Sequence, residues 1–105
     1  MNQENKTIEI EQMLVLSTHN ITENDKDWLT HEAHLTITDN NMELIVYPKG
    51  QYGFFVPLHD GILENALSIP NTLAMIIGYA IGKGCSWIMF DRDVKVNTDL
   101  PSFEW

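Results

Sequence analysis

The chain has 105 residues, 44% of them hydrophobic, and a formal net charge of −9 from 15 acids against 6 lysines and arginines. That composition excludes a disordered chain and leaves room for a single core, while a field of this sign disfavours direct contact with nucleic acid and favours a basic protein partner. The one cysteine, Cys85, excludes an internal disulfide, and no apolar run approaches the roughly 20 residues that span a bilayer; with no signal-peptide pattern at the start, a reducing, cytoplasmic setting without a membrane partner is expected.

Residues 1–7 are polar and are expected to fray. Ile8 to Ser17 contains the continuous apolar run Met13-Leu14-Val15-Leu16, which predicts a strand covered on both faces. Thr22 with Asp25 three residues on has capping-box spacing, and Glu23, Asp25 and Asp27 crowd the first turns where a helix dipole favours negative charge, so a helix is predicted over 23–34. Leu35 to Thr38 could end that helix or begin an extended piece, and Asp39-Asn40-Asn41 reads as a turn. Met42 to Tyr47 and Tyr52 to Leu58 predict a hairpin by their β-branched and aromatic content, with Pro57 closing the second strand. Ile62 to Ser68 is an irregular connector with room for one helical turn. Pro70 opens a second helix that runs to about Lys83 and stops at Gly84. Cys85 to Phe90 is a last apolar strand, followed by Asp91-Arg92-Asp93 and a closing segment, residues 97–105, that should pack on the domain through Phe103 and Trp105.

The order strand, helix, strand, strand, helix, strand predicts one α+β domain of ferredoxin-like type. In that fold the sheet has four antiparallel strands, both helices lie on one face, and the first and last strands are central.

Few residues carry a chemical signature. Asp91-Arg92-Asp93 stands where a buried strand can deliver polar groups to a cleft, but a hard cation there needs further oxygen ligands. His31-Glu32-Ala33-His34 has its histidines three apart, where the zinc-protease pattern requires four. Cys85 lies in an apolar context unsuited to a nucleophile, and Gly82-Lys83-Gly84 sits at a helix end, the wrong place for a phosphate loop. No catalytic set, metal or cofactor is therefore expected. The aromatic hairpin of Tyr47, Tyr52, Phe54 and Phe55 has too few basic neighbours for base stacking. Met75, Gly78, Tyr79 and Gly82 share the outer face of the second helix, and glycines at that spacing suggest close approach by the tail or by a second subunit.

Gly84-Cys85-Ser86-Trp87 through Asp91-Arg92-Asp93, the ending Leu100-Pro101-Ser102-Phe103-Glu104-Trp105, the segment Leu14 to Thr22 and the strand Tyr52 to Val56 together resemble a small uncharacterised family of bacterial proteins. That family is borne on plasmids, prophages and other mobile elements. Ser86 stands here in place of the family's Asp, and Val94 in place of its turn glycine. The resemblance implies a genomic neighbourhood shared with anti-restriction genes and no activity of its own.

Residues 1–43 carry nine acids and two bases, a net −7, and the remainder a net −2. Charge and resemblance together predict a non-enzymatic interaction protein of a mobile element, inhibiting a host defence nuclease or another nucleic-acid-binding complex in the manner of a DNA mimic. Glu23, Asp25, Asp27, Glu32, Asp91, Arg92 and Asp93 are the expected contacts with a basic partner. One alternative is a small ligand-binding or enzymatic domain with a cleft at Asp91-Arg92-Asp93. The other is an antitoxin-like homodimer packed through Met75, Gly78, Tyr79 and Gly82.

Overall fold

A computed structural model describes residues 8–38, 42–65 and 68–105; the expectations for residues 1–7 and for the Asp39 turn lie outside these. Strand β1 (Met13–Ser17) leads through a short 3-10 turn (Thr18–Asn20) into helix α1 (Glu23–Thr38). Strands β2 (Tyr47–Lys49) and β3 (Gly53–Pro57) form the predicted hairpin. A single turn of helix, α2 (Ile62–Asn65), precedes α3 (Asn71–Gly82), and β4 (Trp87–Asp91) completes the sheet.

The sheet order is β1-β4-β3-β2, with β1 parallel to β4 and the other two pairings antiparallel. This corrects the expectation of a purely antiparallel, ferredoxin-like sheet. β4 is central as predicted, but β1 is an edge strand. Its apolar run misled because only one of its faces is covered: Leu16 is fully buried and Leu14 packs against the core, whereas Met13 and Val15 are 40% and 45% exposed. An edge strand on an open sheet face can carry as many apolar residues as a central one, so run length alone does not place it.

The core lies on one side of the sheet. Leu16, Ile88, Phe90, Phe54 and Val56 face Leu29 and Ala33 of α1 and Leu73, Ile76, Ile77 and Ala80 of α3. Burying a large aliphatic side chain contributes about 1.5–3 kcal/mol. Leu73, Ile76 and Ile77 are fully buried, which outweighs the cost of about 1 kcal/mol for a helical glycine such as Gly78. Gly84 ends α3 in a left-handed conformation, φ 82°. Its amide and that of Cys85 bond back to Ile81 and Ala80, closing the helix as a Schellman motif.

Helix α1 runs four residues beyond the predicted end, through Leu35–Thr38. The β-branched residues there are accommodated because Thr36 and Thr38 donate to the carbonyls of Glu32 and His34, each at 2.8 Å. Residues 42–46, predicted as strand, are not paired in the sheet. Helix α1 takes their donors instead: Glu32 Oε1 accepts from the amides of Glu43 (2.7 Å) and Leu44 (2.8 Å), and Thr36 Oγ1 accepts from Val46 (3.2 Å). The segment is thus held by side chains of α1, with Leu44 and Val46 in the core.

Candidate functional site

Because β1 and β4 are parallel and in register from Met13↔Trp87 to Ser17↔Asp91, their carboxyl ends leave the sheet side by side. Thr18-His19 and Arg92-Asp93 therefore emerge together. In open sheets, ligands bind in the crevice outside the carboxyl ends of parallel strands, and here those ends open into a cleft of about 700 Å³. One wall is the α1 stripe Lys26, Thr30, Ala33, His34 and Ile37. The opposite wall is the hairpin, Pro48 to Phe54, and Trp105 closes one end.

Two local features shape this space. A side chain at Gly53 would overlap the Phe90 carbonyl, so only glycine lets β3 lie this close to β4 at the floor of the cleft. The tail is drawn across the β1 exit by Asn20, which is fully buried. Its Nδ2 donates to the carbonyls of Asn97 (3.1 Å) and Pro101 (2.9 Å), and its Oδ1 accepts from the Asn97 amide (3.0 Å). Phe103 then donates its amide to the His19 carbonyl (2.8 Å), and the Trp105 indole donates to the Ile21 carbonyl (3.0 Å). The Trp105 ring meets His19 edge-on, with centroids 4.8 Å apart.

The cleft is cationic in an acidic protein. Lys26, Arg92, His19 and His34 line it, against one side-chain carboxylate, Asp93. Tyr52 fixes Arg92 twice: its carbonyl accepts the Arg92 amide at 2.9 Å, and the guanidinium carbon lies 4.7 Å from its ring centroid. A guanidinium held on an aromatic face keeps its in-plane donors free for a planar anion.

Asp91 is turned away from this cleft. Its Oδ2 accepts from Lys49 Nζ at 2.8 Å, and its Oδ1 accepts from the Asp93 amide at 2.8 Å. The Lys49 hydrogen bond, then that from Asp93, hold its carboxyl below the usual carboxylate range, against the opposing effect of burial. The second bond and the Val94 amide donating to the Asp91 carbonyl (3.2 Å) make a turn that needs no glycine after Asp93.

The other expected contacts are dispersed. Asp25 is buried, and its Oδ2 accepts from the Thr22 amide (2.9 Å) while Thr22 Oγ1 accepts from the Asp25 amide (3.0 Å), the predicted capping box. Glu32 is buried in its bonds to Glu43 and Leu44. Glu23 and Asp27 are exposed at the start of α1. On α3, Met75 is 46% exposed, Tyr79 lies under the Lys83 ammonium, and α2 rather than the tail lies over Gly78, with Leu63 3.9 Å from where a Cβ would stand. A Cβ on Gly82 would meet open space. Among the described residues no group of three or more His, Cys, Asp and Glu could hold a metal ion, and no helix is long and apolar enough to cross a membrane.

The part that Lys26 and His34 take in this cleft is not evident from their immediate neighbours in sequence. The signal was present: Lys26, Thr30, Ala33, His34 and Ile37 fall on one helical stripe beside the core stripe of Leu29 and Ala33.

Fold and cleft define a small α+β domain with an open mixed sheet and a cationic, aromatic-walled crevice at the ends of its parallel strands. Residues 13–105 match the model described as "Family of unknown function (DUF5983) C-terminal domain", and the chain belongs to that family. No curated protein and no solved structure matches it.

Proposed function

We propose that the protein is a binding domain for a small organic anion with a flat or apolar body, held in the cleft between α1 and the β2–β3 hairpin. The observation that carries this reading is the meeting of Lys26 and Arg92, with His19 and His34 as further polar groups, in one cleft of a chain whose net charge is −9. Such a site attracts anions against the field of the whole molecule, and its volume falls within the range of small-molecule pockets. Arg92 meets the anionic group, Lys26 adds charge from the helix, and Phe54, Tyr52 and Trp105 supply apolar walls for the body.

A thermal-shift screen with AMP, a benzoate-type carboxylate and inorganic phosphate tests it. Stabilisation by one of the ring-bearing anions, absent in Arg92→Gln, supports the reading. Equal effects on wild type and Arg92→Gln, or none from any of the three, count against it.

The acidic interaction reading keeps a narrower base, since Glu23 and Asp27 are exposed whereas Asp25, Glu32 and Asp91 are occupied by internal partners. A basic partner from a host defence complex would then engage the first turns of α1. Reversing the charge of Glu23 and Asp27 would release it.

A further inference from the structure

The two edges of the sheet are built differently. β2 has three residues, including Pro48, which has no amide to offer, and Lys49; these are the usual means by which an edge is kept from pairing. β1 has five residues, Met-Leu-Val-Leu-Ser, with no charge and no proline. Among the described residues, no backbone hydrogen bond reaches it from the side opposite β4. Its open-face side chains, Met13 and Val15, are 40% and 45% exposed. They continue across β4 and β3 into Trp87, Met89 and Phe55, as the register shows.

We propose that β1 is the interface between two copies of this chain, pairing antiparallel with the β1 of a second copy about a twofold axis at Val15. The strand is self-complementary in that register. Val15 falls opposite its equivalent on the open side, where both are exposed, so apolar side chains meet on that face, while Leu14 falls opposite the second copy's Leu16, which is already buried in its own core.

Charge selects the same arrangement. The acids near β1, Glu9 and Glu11, lie before it, and the residues just after it, Thr18, His19 and Asn20, carry no carboxylate. Antiparallel pairing sets Glu11 of one strand toward His19 of the other, whereas parallel pairing sets Glu11 against Glu11. For two molecules that each carry −9, an uncharged strand is a favourable place to meet, because like charges directly opposite destabilise a strand pair. The joined sheet places the two clefts at opposite ends of the β1 pair.

Sedimentation velocity of the full chain, from low micromolar to near-millimolar concentration, reads the association. Dimerisation is expected in that range, together with concentration-dependent protection of the Val15 amide from hydrogen exchange. Val15→Lys, at an exposed position, sets two ammonium groups opposite one another and should raise the dissociation midpoint by roughly tenfold or more while the melting curve is kept. Tyr47→Lys, on the same open face but at the guarded edge, should leave association unchanged. A monomer at every concentration overturns the proposal. So does a dimer indifferent to Val15→Lys, or one abolished equally by Tyr47→Lys, which would indicate face-to-face packing of the two sheets. The wild-type amide exchange decides the matter without any variant.

Discussion

Asn20 holds the tail by three hydrogen bonds to residues that follow it by 77 to 81 positions. It is fully buried, so Asn20→Ala leaves the Asn97 amide and two carbonyls without partners and should cost about 2–3 kcal/mol in urea unfolding. Exchange at the Phe103 amide should accelerate by more than that global loss explains, because the tail opens first. Asn20→Asp should be as damaging, since it keeps the acceptor but sets a carboxylate against two carbonyls. Arg92 is the contrasting case: it is exposed, and Arg92→Gln should change stability by no more than about 0.5 kcal/mol while removing anion binding. Asp91 gives a pH signature. Its folded-state pKa is lowered, chiefly by Lys49, so its contribution is complete above the unfolded value of about 3.9 and is lost as the pH falls through the lower folded value. The melting-temperature difference between wild type and Asp91→Asn should therefore be flat from neutral pH to about 5 and shrink only in stronger acid. At this scale, what could be read from sequence was what lay close along the chain. The Thr22–Asp25 cap shows itself in its spacing, whereas Asn20 and Glu32 look like ordinary polar residues because their partners are distant or are backbone amides with no sequence signature.

The elements formed largely where periodicity placed them, and the exceptions lie where distant partners decide. Residues 42–46 have the composition of a strand, but Glu32 and Thr36 take the amides of Glu43, Leu44 and Val46 that a ladder would need. Glu32→Ala removes a charged acceptor from two amides and should lower stability by about 3 kcal/mol, with Glu32→Gln recovering part of the loss because its carbonyl can still accept. The hairpin was legible; the position of β1 was not. Its apolar run is equally compatible with a central strand and with an edge on an open face, and only the pairing to β4 decides between them. Gly53 belongs to this scale as well. A methyl group there would displace the Phe90 carbonyl, so Gly53→Ala should shift β3 relative to β4 and weaken ligand binding together with stability.

For the whole molecule, net charge gave no sign of the cleft, although Glu9, Glu11, Glu23, Asp27 and Glu43 of the first 43 residues are exposed as their positions suggested. Two of the acids in the first 43 residues, Asp25 and Glu32, are consumed inside the fold. Lys26 and Arg92, far apart in the chain, come together instead along one cleft, beside His34. That gathering depends on β1 and β4 being parallel, which no local pattern reveals: an antiparallel pair would send Thr18-His19 and Arg92-Asp93 to opposite ends of the sheet. The most direct test of a cationic cleft for anionic ligands is equilibrium dialysis of the protein against a cell metabolite extract, read by mass spectrometry, for wild type and a Lys26→Gln, Arg92→Gln double variant. Enrichment of one or a few anionic metabolites by the wild type, reduced at least about tenfold in a variant that melts at the same temperature, is the predicted result. Enrichment equal in both proteins, or enrichment of neutral or cationic compounds only, would contradict it.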